Sequence, residues 1–243
     1  MKNLKNLAKF SIIKLLALLK NDIRSKNIYY HDISSSACYT NMSTDINLFK
    51  SHIDIIHELG FEIVKKISKP TKQVSISFDD GFRGIFENFD ILSDTQTPVT
   101  IFLVSNYIGK ENYLRKEEID EMLNTKLLRI GSHTVTHSNL TSIGNNKLIY
   151  DELSISRQKL EMLFGVKINS LCFPRGRFSN NIVNLAFNAG YDLLFTSIPG
   201  PVNVNDKIQT RYLAQNLKFN QFKSVLKGGS DIFANHYKKL HKI

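Results

Sequence analysis

Two adjacent carboxylates and a pair of histidines are the residues whose types and spacing could do chemistry. Asp79 and Asp80 follow an alternating, strand-like run over 74–78, where neighbouring carboxylates cost repulsion and desolvation unless something neutralises them. His133 and His137, further along the chain, have the spacing of two ligands of one metal. One Asp and two His make a three-ligand site with room for water or substrate, as in catalytic zinc sites. The second carboxylate is then free to act as a base.

These residues require elements that bring distant segments together, and the sequence predicts such elements in alternation. Short runs rich in β-branched and aromatic residues alternate with segments of helical spacing, of which 146–164 is the clearest. This alternation indicates βα units and a parallel sheet. Six to eight such units in one domain of 243 residues predict a closed or nearly closed (β/α) barrel. An open doubly wound sheet is the alternative.

The unusual residues fall at four predicted strand ends, where both architectures collect their chemistry. They are His31, the aspartate pair, the loop that ends at His137, and the turn Pro174-Arg175-Gly176. Four such strand ends indicate one shared site. The sequence has no glycine-rich phosphate loop, so a nucleotide cofactor is not expected.

The N-terminal segment carries much of the formal charge of +10, because residues 1–26 hold seven basic residues against Asp22 alone. We predict a basic amphipathic helix over 1–26, followed by a catalytic domain over 27–243. Residues 1–24 could lie on an anionic membrane surface, which predicts a cytoplasmic or peripheral membrane location. A helix packed on its own domain or a partner, and a weak uncleaved export signal, remain open alternatives. No nucleic-acid motif is present, so nucleic acid is not an expected partner.

The two cysteines, Cys38 and Cys172, lie far apart in the sequence and belong to no CxxC pair. They therefore predict neither a disulfide framework nor a structural zinc site. The simpler interpretation is that both are small buried apolar residues.

Three motifs resemble those of the polysaccharide deacetylases, the group related to chitooligosaccharide deacetylase in carbohydrate esterase family four. Segment 77–81, Ser-Phe-Asp-Asp-Gly, resembles the first motif, and segment 132–137, Ser-His-Thr-Val-Thr-His, resembles the second. Segment 173–176, Phe-Pro-Arg-Gly, is similar to the third. Their order and spacing agree with the family from about residue 28 to about residue 215. The resemblance implies the distorted barrel of that family, with about seven strands.

The resemblance also implies a role for each residue. Asp79 would be the general base that deprotonates the attacking water. Asp80, His133 and His137 would hold a divalent metal, usually zinc and sometimes cobalt or nickel, which would polarise the acetyl carbonyl. The backbone N–H of Arg175, in the third-motif turn, would help to bind the oxyanion.

The sequence departs from the family pattern at the residue that orients the base. The third motif of the family often begins with an arginine for this purpose, and Cys172 stands at that position. Arg175 or Arg177 are the candidates to replace it.

The general acid also departs from the usual pattern, in which a late histidine motif supplies it. Nothing after the third motif matches well, and His236 and His241 lie in a lysine-rich tail. However, segment 29–33, Tyr-Tyr-His-Asp-Ile, resembles an early segment of the biofilm poly-N-acetylglucosamine deacetylases, which supplies the acid there. We therefore predict that His31 protonates the leaving amine. In this interpretation Phe178 and Tyr191 belong to a sugar-facing wall.

The resemblance implies a metal-dependent hydrolase that removes acetyl groups from N-acetylated sugars of a surface polysaccharide or its precursor. The expected partner is thus an N-acetylated glycan. Three alternatives stay open at this point. They are an O-deacetylase, a catalytically decayed glycan-binding protein, and a membrane-attached scaffold of a glycan-assembly complex.

Overall fold

A parallel sheet forms the centre of the computed structural model, which describes residues 11–17 and 22–241. The strands are β1 (Lys26–Tyr30), β2 (Asp32–Ser34), β3 (Ser43–Asp45), β4 (Glu62–Ile63), β5 (Gln73–Asp80), β6 (Val99–Leu103), β7 (Leu128–Ser132), β8 (Ser170–Cys172), β9 (Leu193–Phe195), β10 (Ile208–Gln209) and β11 (Tyr212–Leu213). Nine of them form one sheet in the order β10-β9-β8-β7-β6-β5-β1-β11, with β4 beside β5, while β2 and β3 pair separately.

Every pairing between these strands is parallel. The sheet curls into a barrel. The barrel is incomplete because its two end strands, β10 and β11, do not pair within the described part of the chain. The predicted α/β barrel is therefore confirmed.

Helices alternate with the strands, as the sequence predicts. They are α1 (11–17), α2 (Ile46–Glu58), α3 (Gly84–Glu87), α4 (Asp90–Asp94), α5 (Lys116–Asn124), α6 (Asn146–Phe164), α7 (Asn180–Asn188), α8 (Phe219–Leu226) and α9 (Ala234–His241). Local chemistry sets their ends. The Asn145 side chain accepts hydrogen bonds from the first backbone N–H groups of α6, and Gly165, in the left-handed conformation, ends that helix.

The central strand β5 is buried at all eight positions and presents two different faces. Val74, Ile76 and Phe78 pack in the main hydrophobic core. Because side chains alternate along a strand, Ser77 and Asp79 share the opposite face, inside the curl of the sheet. β5 therefore supports the helices with one face and carries a catalytic candidate on the other.

Two stretches differ from the predicted elements. The sequence over 27–33 predicts a strand that ends near His31, and the structure divides it there between β1 and β2. The sequence over 198–210 predicts a loop, and this segment contains β10. Strands of two residues are too short to show a hydrophobic period. The break at His31 sets its side chain at the end of β1, the strand end at which the sequence predicts it.

The N-terminal helix is described only over α1, where Ile13 and Ala17 are buried and Ile12 and Leu15 are exposed. Residues 1–10 and 18–21 of the predicted amphipathic helix lie outside the described residues. Residues 22–26 correct its predicted end, because they are not helical and Lys26 begins β1. The domain division at residue 26 stays a prediction. No helix in the described ranges is long and apolar enough to cross a membrane.

Candidate active site

The three predicted metal ligands converge at the carboxyl ends of β5 and β7. Asp80 Oδ1 lies 3.4 Å from His133 Nε2 and 3.3 Å from His137 Nε2. The parallel register brings them together, since Asp80 pairs with Leu103 of β6, which pairs with Ser132 of β7. Adjacent strand ends therefore stand level, and the residues that follow them share one edge of the sheet.

The backbone at these strand ends takes an unusual conformation. Asp80, Thr134 and His137 have φ values of 73°, 68° and 60°, in the left-handed region that non-glycine residues seldom occupy. The Glu152 carboxylate of α6 holds the histidine loop by accepting hydrogen bonds from two of its backbone N–H groups, each at 3.0 Å. The local strain is thus supported by contacts from a rigid helix.

The donor set fits a divalent metal. Asp80 Oδ1 is buried and has no hydrogen-bond partner in the described ranges. His133 Nδ1 donates to the Cys172 carbonyl at 2.8 Å, which leaves the Nε2 lone pair for an ion. Ligand atoms about 2.1 Å from a tetrahedral ion stand about 3.4 Å apart, as these do. Burial, followed by the charge of His133, lowers the pKa of His137 to about 4, so its imidazole is in the neutral, ligating form.

The candidate base Asp79 is held by a buried arginine. Arg211 Nη1 and Nη2 donate to the two carboxylate oxygens at 2.7 and 2.8 Å. Burial alone would raise the pKa of Asp79, but the charge and hydrogen bonds of Arg211 outweigh it and hold that pKa well below its usual range. Asp79 is therefore a carboxylate in a fixed orientation, as a general base requires.

The prediction that Arg175 or Arg177 replaces the missing arginine at position 172 was wrong, because Arg211 holds Asp79 instead. Its guanidinium reaches Asp79 from the segment between β10 and β11, and Nη2 also contacts Cys172 Sγ at 2.8 Å. The small cysteine leaves the space that the guanidinium fills. No sequence motif identifies a single arginine between two very short strands. The sequence indicated only that a buried carboxylate needs a cation nearby.

Asp79, His133 and Cys172 form a second group with metal-ligating atoms close together. Arg211 bonds both Asp79 and Cys172, so its positive charge occupies the place of an ion. The group made by Asp80, His133 and His137 is the better cation site.

The predicted acid, His31, lines the same pocket as the base and the ligands, a cavity of about 350 Å³. Its Nδ1 donates to Gln215 Oε1 at 2.7 Å, which fixes the tautomer and leaves Nε2 for a substrate. Its role as the acid stays a prediction. Arg175 and Gly176 of the third-motif turn also line this pocket.

The third-motif turn, Pro174–Gly176, is a single helical turn of the 3-10 type. Arg175 and Gly176 have φ values of 57° and 66°. A Cβ atom on Gly176 would lie 2.6 Å from Ser197 Oγ, so a larger residue does not fit there. The oxyanion role of the Arg175 N–H stays a prediction.

Three minor assignments were wrong. Phe178 stacks on Phe173 in the core, and the buried Tyr191 hydroxyl donates to the Leu153 carbonyl, so neither faces the pocket. Cys38 is exposed, whereas Cys172 is buried as predicted.

Two residues of α9, Tyr237 and His241, also line the pocket. Both lie in the lysine-rich tail, to which the sequence assigns no role in the site. Their helix is polar and terminal, and nothing in its pattern indicates which face meets the rest of the domain.

Comparison with known proteins agrees with this geometry. The chain is 24% identical over 184 residues to the Bacillus subtilis protein YxkH, named as a polysaccharide deacetylase, with 71% of this chain and 64% of that protein covered. It thus spans less than two thirds of that relative. It is 27% identical over 200 residues to the poly-beta-1,6-N-acetyl-D-glucosamine N-deacetylase of Staphylococcus aureus, with coverages of 72% and 69%.

Among solved structures, IcaB from Ammonifex degensii superposes with a TM-score of 0.76 at 19% identity, covering 85% of this chain and 98% of that one. This similarity shows a common fold. The sequence model of the polysaccharide deacetylase family matches residues 66–194, which is more than half of the chain. This chain therefore belongs to the polysaccharide deacetylase family.

Proposed function

We propose that this chain is a metal-dependent deacetylase that hydrolyses the acetamido group of N-acetylated sugars in a surface polysaccharide or its precursor. One observation carries the proposal. The buried donor set of Asp80, His133 and His137 shares a pocket with Asp79, whose carboxylate is held ready by Arg211. The N-deacetylase name of the staphylococcal relative supports the choice of substrate.

The nitrogen-rich donor set of Asp80, His133 and His137 favours zinc. A bound zinc ion would polarise the acetyl carbonyl and lower the pKa of the attacking water.

The side chains of the chain itself supply the proton transfers. Asp79, oriented by Arg211, accepts a proton from the water as the water oxygen bonds to the acetyl carbon. The Arg175 N–H donates to the developing oxyanion. His31 in its imidazolium form, with Nδ1–H held by Gln215, gives its Nε2 proton to the nitrogen as the C–N bond breaks. Acetate and the free amine then leave.

The test is acetate release from N-acetylglucosamine oligomers by the zinc-loaded protein. Asp79→Asn should lower kcat by about a hundredfold or more, because it removes the base. Its metal content, measured by atomic emission, should stay at the wild-type level. Asp192→Asn is the matched control, because Asp192 is an exposed surface carboxylate 3.8 Å from Lys167. Equal activities of Asp79→Asn and wild type would refute the catalytic proposal.

The same assay separates N-deacetylation from O-deacetylation. An amine is a poor leaving group and needs a proton, whereas an alkoxide needs less help. His31→Gln should therefore lose acetate release from N-acetylated oligomers and keep most of its activity on O-acetylated analogues. If wild type acts only on the O-acetylated analogues, the O-deacetylase alternative replaces the proposal. If wild type binds oligomers, but neither bound metal nor acetate release is detected, the glycan-binding alternative replaces the proposal.

We also propose that the chain lies at an anionic membrane surface. Ile12 and Leu15 of α1 are 46% and 61% exposed beside Lys14, while Ile13 of the same helix packs against the domain. An apolar face flanked by basic residues suits the interface of an anionic bilayer. The double variant Ile12→Asn/Leu15→Asn should bind vesicles that contain phosphatidylglycerol more weakly than wild type. Met162→Asn, on α6, is the control, and equal binding by the double variant and wild type would refute the proposal.

A further inference from the structure

The C-terminal helix α9 lies beside the catalytic pocket and presents one face to it. Tyr237 and His241, one helical turn apart, line the pocket together with the metal ligands. Their rings stack at 5.7 Å with an interplanar angle of 12°. The exposed Lys238 and Lys239 lie on the outer face of the helix. α9 therefore forms a wall of the pocket, with an aromatic ring and an imidazole on the inner face.

Specific contacts hold this wall in place at both of its ends. Three residues before the helix begins, Asp231 accepts hydrogen bonds from the Tyr212 hydroxyl at 2.5 Å and from Arg24 Nη2 at 3.0 Å. At the end, the Phe178 N–H donates to the His241 carbonyl at 3.0 Å. These contacts tie α9 to β11, to the segment before β1 and to the residues that follow the third motif, so its position relative to the pocket is set by the domain.

The third-motif turn allows the close approach of α9. A Cβ atom on Gly176 would lie 3.0 Å from His241 Nδ1, in addition to its clash with Ser197. The glycine thus lets the imidazole pack directly on the turn that carries the candidate oxyanion donor. His241 consequently stands beside the place where the acetyl group would react.

Tyr237 also borders a second cavity of about 240 Å³ next to the catalytic pocket. The two cavities share the side chains of Tyr29, Ser197 and Tyr237. The other residues that line the second cavity are mostly apolar and include Leu213 and Leu217. The Tyr237 ring, which is partly buried against the main core, thus also borders two open spaces. An aromatic ring in such a place offers a face to the apolar side of a ligand.

We propose that the inner face of α9 binds the glycan, with Tyr237 packing against the pyranose ring and His241 hydrogen-bonding one of its hydroxyl groups. A sugar ring combines an apolar C–H face with polar edges, which suits an aromatic ring next to an imidazole. The inference rests on the proposed function, since it takes the N-acetylated glycan as the ligand. It assigns the recognition of that ligand to a helix outside the three catalytic motifs.

The experiment measures binding and turnover separately. Tyr237→Ala and His241→Gln should each raise KM for N-acetylglucosamine oligomers about tenfold or more and change kcat less than threefold, because they remove sugar contacts and leave the reacting groups in place. His236→Gln is the matched control, since His236 lies on the same helix and is exposed. Zinc content should match wild type in all three variants, and thermal unfolding should match it in His241→Gln and His236→Gln.

Binding is also measured without turnover, by calorimetry of the oligomer with zinc-loaded Asp79→Asn. Adding Tyr237→Ala to this background should weaken Kd about tenfold. Unchanged Kd and KM in both α9 variants would overturn the wall proposal, as would a fall in kcat with KM unchanged. Higher kcat/KM in the variants would overturn it too, because α9 would then obstruct the site.

This design distinguishes the two proposals. If wild type binds oligomers and Tyr237→Ala weakens that binding, but no acetate is released, the catalytic proposal fails and the wall stands. If acetate is released and the α9 variants behave as wild type, the wall fails and the catalytic proposal stands. If no oligomer binds at all, the wall proposal is refuted directly.

Discussion

At the scale of single residues, the pairing of Asp79 with Arg211 decides the chemistry of the pocket. Desolvation of a fully buried carboxylate would normally favour its protonated form, which cannot accept a proton from water. The two hydrogen bonds of Arg211 reverse that preference. Asp80, only one position away, lacks such a partner in the described ranges and is suited to a metal instead. Two adjacent aspartates thus have different environments, which supports the different roles proposed for them.

We predict that Arg211→Gln shifts the pH dependence of kcat/KM. Without the guanidinium charge, burial raises the pKa of Asp79, so the carboxylate form is lost at a higher pH. The acid limb should therefore move up by about one to three pH units. Arg211→Lys keeps a positive charge and should move the limb less. A pH profile of acetate release for the three proteins checks this, and superimposable acid limbs would contradict it.

At the scale of elements, close packing between strands sets the position of the histidine loop. Gly131 of β7 has the Phe102 ring of β6 directly beside it, and an added Cβ would lie 2.4 Å from that ring and 2.9 Å from Ser170 Oγ of β8. The same ring lies 5.4 Å from the Arg211 guanidinium. The glycine thus lets β6, β7 and β8 approach closely, two residues before His133.

Gly131→Ala should therefore lower the free energy of unfolding by about 1 to 3 kcal/mol, the usual cost of overpacking. It should also weaken zinc binding, since β7 must move. Gly144→Ala is the control, because a Cβ there meets no atom within 4 Å. Denaturant unfolding and zinc titration of both variants test this. A Gly131→Ala protein as stable as Gly144→Ala would show that the strands can adjust freely.

A second element-scale contact joins α2 to α8 through a buried histidine. His52 Nε2 donates to the Leu217 carbonyl at 2.6 Å, Nδ1 accepts from the Tyr30 hydroxyl at 2.8 Å, and the ring stacks on Phe222 at 3.9 Å. Burial lowers the pKa of His52 to about 4. Its neutral form is therefore built into the fold.

This depressed pKa predicts a pH-dependent stability. The unfolded chain binds a proton at His52 below about pH 6.5, whereas the folded chain does so only near pH 4, so this stabilisation is complete above pH 6.5 and is lost as pH falls towards 4. The loss amounts to about 3 kcal/mol. The stability difference between wild type and His52→Gln should shrink by that amount between pH 7.5 and pH 4. His57→Gln, exposed on the same helix, should show no such change, and a constant difference for His52→Gln would refute the assignment.

At the scale of the whole molecule, the barrel is open and the site lies where its strand ends meet. A bound ion would tie the end of β5 to the loop after β7 and would satisfy the orphaned oxygen of Asp80. Because such a site exists only in the folded chain, metal binding adds to stability by mass action. The local donor set thus has a global consequence.

Zinc at 100 times its Kd should raise Tm by about 5 to 10 °C, from about 2.7 kcal/mol of linkage. A chelator should reverse the rise. In Asp80→Asn the rise should be much smaller, whereas Asp192→Asn should respond as wild type does. Differential scanning calorimetry with and without zinc measures this. An equal rise in Asp80→Asn would mean that zinc binds elsewhere.

The sequence by itself determined the βα alternation and the barrel, and it predicted that Asp80, His133 and His137 come together. These follow from local periodicity and from short motifs at strand ends, which a one-dimensional pattern can carry. It also indicated His31, through the early Tyr-His-Asp segment. Each of these depends on residues close together in the chain.

Only the tertiary structure decided which cation holds Asp79 and which helix walls the pocket. Arg211 lies 132 residues from Asp79, and α9 reaches the site from the end of the chain. Such contacts depend on how the curled sheet brings distant segments together. The small side chain of Cys172 also leaves a space beside Asp79, and a residue distant in the sequence fills it. A local sequence pattern cannot predict which residue fills a space that forms only when the barrel folds.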